Sequence, residues 1–98
     1  MGTDDRERFA DVVQQIGEHM LTSRQLECAY LATVEGLNTL ETAHRMTVEP
    51  KTIDAHWHNT AARLLGYHDD HGVRSVRRMI LVAYWKRVGA DELRGHSY

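Results

Sequence analysis

The side chains able to do chemistry in this 98-residue chain are seven histidines, one cysteine and twelve lysines and arginines. His56 and His58 stand two residues apart. A helix turns such a pair to different faces, so they cannot easily share a metal ion. His68-Asp69-Asp70-His71 carries metal-ligand side chains, but a solvated stretch lacks the rigid surround that fixes a metal, and it reads as a polar loop. A single cysteine, Cys28, excludes an internal disulfide and a cysteine-based zinc finger, and it reads as a buried, inert thiol. No glycine-rich phosphate loop and no Ser-His-Asp pattern occurs, so neither catalysis nor a cofactor is expected. The chemistry left is recognition by charge and hydrogen bonding, with Arg74, Arg77 and Arg78 placed either to hold phosphates or to solvate a helix.

Charge is divided unevenly along the chain. Residues 1–41 hold three cations against eight anions, for a net −5; residues 42–98 hold nine cations against six anions, for a net +3. The overall −2 argues weakly against nucleic-acid binding, but the basic second half argues for it. The longest apolar run is Met79 to Trp85, seven residues, against about 20 for a membrane span. No charged-then-apolar leader opens the sequence, and the expected compartment is the cytoplasm.

These groups must be positioned by helices, because no run alternates with period two. The first helix is expected from Asp4 to His19, with Phe9, Val12, Val13, Ile16 and Met20 in one stripe that serves a core, a dimer or a partner. The second begins at the capping box Thr22-Ser23-Arg24-Gln25. Leu21 is set to staple on Leu26, the buried face is Leu26, Ala29, Tyr30 and Thr33/Val34, and Gly36 is the left-handed cap. A short third helix spans Thr39 to Met46 with Leu40, Ala43 and Met46 inward. The fourth runs from Pro50, suited to a first turn, to about Leu65, closed by Gly66. Ile53, Trp57, Ala61 and Leu64 face inward, while Lys51, Asp54, Ala55, His58, Ala62 and Arg63 face out. A fifth helix is expected from about Arg74 to Val88, ended by Gly89. Val76, Ile80, Ala83 and Tyr84 form its inner face, widened by Met79, Val82 and Trp85. Residues 90–98 are expected to fray.

Two short helices joined by a tight turn, the second apolar behind and polar in front, form the helix-turn-helix pattern. The major groove is about 12 Å wide and accepts one helix pinned from behind by its core residues, here Ile53 and Trp57.

Leu21-Thr22-Ser23-Arg24-Gln25, Glu35-Gly36-Leu37-Asn38, Glu41-Thr42-Ala43-His44-Arg45-Met46, and Val48-Glu49-Pro50-Lys51-Thr52-Ile53 followed by His56 and Asn59 come in that order. Over residues 21–85 the chain resembles the DNA-binding domain of the LuxR/FixJ/GerE transcription regulators. The resemblance implies an all-α fold: a four-helix LuxR-type helix-turn-helix domain at 21–89, to which residues 1–20 add an N-terminal amphipathic helix for a dimer or partner contact. It also implies that the third helix of that domain enters the major groove, and that the last helix often forms the dimer contact. By position, Lys51 and Thr52 meet phosphates, His56 and Asn59 lie near the backbone, and Asp54, Ala55 and His58 face base edges. Arg24 supports the fold. The chain departs from the family pattern at Glu49-Pro50, at Asp54 in place of a cation, at Thr42 in place of an aliphatic residue, in one extra residue before Gly36, and in a longer His68–Gly72 loop. With about 20 residues ahead of the domain, no sensor domain is expected there.

The expected function is a sequence-specific DNA-binding transcription regulator that acts as a homodimer on double-stranded DNA and not at a membrane. Lys51, Thr52, Arg63 and the Arg74, Arg77 and Arg78 cluster would supply affinity; Asp54, Ala55 and His58 would supply discrimination. The alternative is a protein-interaction module or anti-activator that keeps the fold but binds another regulator or RNA polymerase, favoured by the acidic first half and Asp54.

Overall fold

The computed structural model describes residues 2–17, 20–66 and 69–95. Among them are five α-helices and no strand: α1 (Gly2–Gln14), α2 (Ser23–Thr33), α3 (Thr39–Met46), α4 (Pro50–Leu65) and α5 (Asp70–Gly95). Helix α2 lies centrally and packs on all four others; α4 packs on α2, α3 and α5, and α1 lies across α5 and α2.

The helix starts are set by side chains that satisfy the first free amides. Gln25 N–H donates to Thr22 Oγ1 at 3.2 Å and Thr22 N–H donates to Gln25 Oε1 at 3.0 Å, the expected capping box. Asn38 and Glu41 form a second one at the start of α3, with Glu41 N–H on Asn38 Oδ1 at 2.8 Å and Asn38 N–H on Glu41 Oε1 at 3.0 Å. Helix α4 starts without a side-chain cap, and Pro50 sits where no amide is needed. The turn between α3 and α4 is made by Thr47 in the left-handed region (φ 59°, ψ 47°), and Val48 N–H returns to Ala43 O at 3.0 Å. A β-branched residue there is strained by roughly 1–2 kcal/mol, so the angle between the two helices is held by the packing around it.

Phe9 joins three helices through its ring. It meets Tyr30 of α2 edge-on at 5.6 Å and Tyr84 of α5 at 5.6 Å, tilted by 58°. Around them Val12, Val13, Leu31, Ile53, Trp57, Ala61, Val76 and Ile80 are buried.

Several boundaries and facings differ from the sequence expectation. Helix α1 ends at Gln14, not near His19, and its last amides turn tightly, Gln15 N–H to Val12 O and Ile16 N–H to Val13 O. The chain must bend there to cross the end of α4: a methyl built on Gly17 would lie 2.7 Å from Leu64 Cδ2 and 3.1 Å from Leu64 Cα. Met20 therefore leaves the stripe and is exposed. Glu18, His19, Tyr67, His68 and residues 96–98, which entered those expectations, lie outside the described residues. Helix α2 ends at Thr33, and Gly36 takes positive φ (68°) three residues on.

Leu40 of α3 faces solvent and Thr42 is buried in its place. Helix α5 begins at Asp70 because Asp69 Oδ1 accepts from Gly72 N–H at 2.8 Å, so Asp70, His71 and Gly72 are helical rather than loop. It also runs through Gly89 to Gly95. Asp91 holds this extension, taking Arg87 Nε at 3.3 Å within α5 and Arg8 Nε of α1 at 3.3 Å. Met79, Val82 and Trp85 lie on its open side.

Two substitutions test this packing. The buried Thr42 hydroxyl has no hydrogen-bond partner, so Thr42→Val removes an unsatisfied polar group and should raise stability by about 1–2 kcal/mol. Gly17→Ala forces its methyl against the α4 backbone and should cost about 1–3 kcal/mol. Urea unfolding checks both: the midpoint should rise for the first and fall for the second, with unchanged slope.

Candidate nucleic-acid interface

The 3.6-residue repeat of α4 divides it cleanly. Ile53, Trp57, Thr60, Ala61 and Leu64 are buried, each at most 9% exposed. Lys51, Asp54, Ala55, Asn59 and Arg63 are exposed, with Thr52, His56, His58 and Ala62 half-buried along the edges. Because Lys51, Asp54, Ala55, Asn59 and Arg63 all keep their exposure, no described segment covers the outer side. Trp57 is roofed by the Arg77 guanidinium of α5, 4.9 Å from the ring centroid, a cation–π contact that seals the α4–α5 seam.

The middle of the outer face is low. Opposite the core at 100° per residue lie Ala55, Asn59 and Ala62, with Lys51 leading from the first turn. Asp54 and His58 border this strip on the α5 side; Thr52, His56 and Arg63 border it on the other.

The edges are tied to the scaffold. His58 Nδ1 lies 2.8 Å from the Asp54 carbonyl oxygen and Nε2 lies 3.1 Å from Asp70 Oδ1, at the start of α5. Two acceptors facing two ring nitrogens favour the doubly protonated imidazolium, and the His58 pKa is raised, first by the Asp54 carbonyl and then by the Asp70 carboxylate. His56 is shifted the other way, by burial and by the positive charge of Arg24. Arg24 reaches from α2 to the Met46 carbonyl at the end of α3, 3.4 Å, and ties those two helices together. Arg63 Nη1 donates to Met20 O at 2.7 Å, which ties the segment after α1 to α4.

The arginines expected to act together on α5 have different surroundings. Arg77 is committed to Trp57, Arg74 is exposed one turn beyond Asp70, and Arg78 is exposed at the border of the outer groove of α5. Asp70 is the partner that sequence reasoning missed; the contact spans twelve residues and two helices, and no local signal marks it. Cys28 is buried, and burial pushes its thiol up to about 11, so it stays protonated at neutral pH. Among the described residues no three His, Cys, Asp or Glu side chains gather as a metal cluster, and no helix is long and apolar enough to cross a membrane.

No protein-family model, curated protein or solved structure matches this chain.

The two α4 histidines should titrate apart. NMR-monitored titration should place His58 above the ordinary value of 6.5 and His56 below it. Because the folded His58 pKa is raised, its contribution to stability is fully present below the ordinary histidine range and is lost as pH rises through the folded value. Asp70→Asn should remove part of the upward shift; a His58 that titrates below His56 would contradict the bridging geometry.

Proposed function

We propose that the chain is a sequence-specific DNA-binding transcription regulator that places α4 in the major groove of duplex DNA. The observation that carries this reading is the open outer face of α4, borne on a helix whose other side is buried through Ile53, Trp57, Ala61 and Leu64. A helix of this kind fits the groove only if its front is free and its back is fixed. The ordered motifs that resemble the LuxR/FixJ/GerE domain support the same reading, and Lys51 at the exposed first turn of α4 suits phosphate contact. Thr52, His56 and Arg63 border the same strip as candidate backbone contacts, and Arg74 and Arg78 are exposed on α5.

The acting form is a homodimer. Met79, Val82 and Trp85 on α5 are 39%, 48% and 49% exposed, and Leu93 is 74% exposed. Met79, Val82, Lys86, Gly89 and Leu93 repeat at three- and four-residue steps, the spacing of a helix-pairing seam. Ile16, Met79, Val82 and Ala83 line a groove of about 580 Å³ beside it, and nothing stands within 4 Å of a methyl built on Gly89. A second copy of α5 covers such a stripe symmetrically and sets two α4 helices toward two half-sites.

A protein-interaction reading is favoured by Leu40, which is 68% exposed over a shallow groove with Leu37, Glu41, His44 and Arg45. That surface lies on α3 and leaves the front of α4 free, so a bound regulator or RNA polymerase is compatible with DNA contact.

The test is retardation of genomic duplex fragments at several ionic strengths. Binding should weaken steeply with salt, and Lys51→Ala should weaken it alike for all sequences and lower the salt slope by about 1. Absence of salt-sensitive duplex binding across a pooled genomic library, with a partner protein co-purifying instead, would favour the interaction module.

A further inference from the structure

We infer that Asn59 is the side chain through which α4 reads sequence, and that it selects adenine in the major groove; this rests on the DNA-binding reading above. The resemblance by position sets Asn59 beside the DNA backbone and His58 over the bases. The geometry exchanges them. His58 has both ring nitrogens engaged, Nδ1 with the Asp54 carbonyl at 2.8 Å and Nε2 with Asp70 Oδ1 at 3.1 Å, so it has no ring nitrogen left for a base edge. Both engagements hold the ring toward α5, on the flank of α4 rather than its crest. Arg63 is turned to the Met20 carbonyl, and His56 is half-buried beside Arg24.

Asn59 differs from all of these. It is exposed, its side-chain amide makes no hydrogen bond to the described residues, and it points away from the buried Trp57 and Ala61 line. Its neighbours along the crest are Ala55, four residues before, and Ala62, three residues after. Two methyl-sized neighbours let the helix approach the groove floor closely, and the amide is then the tallest polar group along that ridge. A carboxamide offers one acceptor and one donor side by side. Adenine presents N7 as acceptor and N6–H as donor at matching spacing, whereas guanine presents two acceptors and cytosine only a donor. Lys51 at the leading turn stays outside this pairing and holds phosphate.

The experiment is selection from a randomised duplex pool with the full chain, followed by binding of the selected duplex and single-position variants. The wild-type chain should enrich adenine at one position per half-site. Replacing that adenine by 7-deaza-adenine, which lacks the N7 acceptor, should weaken wild-type binding about 5- to 150-fold. Asn59→Ala should lose the adenine preference and become insensitive to the 7-deaza change, with circular dichroism unchanged. If Asn59→Ala weakens all duplexes equally, or if the preference disappears in His58→Ala but survives in Asn59→Ala, the assignment is overturned while the DNA-binding reading stands. A wild-type chain that binds no duplex overturns both.

Discussion

The placement of Trp57 is the constraint on which the rest of the molecule depends. Its indole is 3% exposed, buried with Ile53, Ala61 and Leu64 on one face of α4 and roofed by Arg77 from α5. Truncating a buried tryptophan costs about 3–5 kcal/mol, comparable with the lower end of a small domain's total stability. With that ring fixed, the rotation of α4 about its own axis is fixed, and so is the identity of every residue on the opposite face. The strained Thr47 turn and the uncapped start at Glu49-Pro50 are tolerable for the same reason: the position of α4 is set by its buried side rather than by its ends.

Helix α1 extends this frame. Phe9 reaches Tyr30 and Tyr84, Arg6 covers the Tyr30 ring at 4.4 Å, and Arg8 meets Asp91 on the far part of α5. Both cations of the acidic first helix are therefore engaged in contacts with other helices. Its path also explains why α5 is long: the ion pair with Arg8 and the i,i+4 pair with Arg87 hold Asp91 in helical register beyond Gly89, where propensity alone would let the helix end.

Local signals made much of this legible. The Thr22 and Gln25 pair, Pro50 at the head of α4, Gly66 at its end, and the Ile53, Trp57, Ala61 and Leu64 spacing all act within one or two turns, and a sequence read in order carries them. The Asn38 and Glu41 box is equally local and follows from the same rule. What stayed hidden depends on partners distant along the chain. The close approach of Gly17 to Leu64 ends α1, and Arg8 prolongs α5; neither leaves a periodic trace. Leu40 and Thr42 exchange facings because α3 is only eight residues long, too short for a stripe to decide its rotation against the turn that follows. In the candidate site, the exposed strip was legible from helical phase, whereas the commitment of His58 to Asp70 and of Arg63 to Met20 O was not.

The acidic groups near that strip bear on how a chain of net charge −2 would hold a phosphate backbone at all. Asp54 and Asp70 stand on the α5 side of α4, and each would repel phosphate if left alone. His58 lies against both: its ring binds the backbone of one and the carboxylate of the other, and in the imidazolium form it adds a positive charge between them. The α5 flank of α4 is thereby brought closer to neutral. Exposed cations remain at Lys51 on the first turn of α4 and at Arg74 and Arg78 on α5, where under the proposed reading they would meet phosphates while the Ala55 and Ala62 ridge stays low and uncharged. Under the proposed reading, affinity and discrimination would fall to different residues of one surface, the division that a groove-reading helix requires.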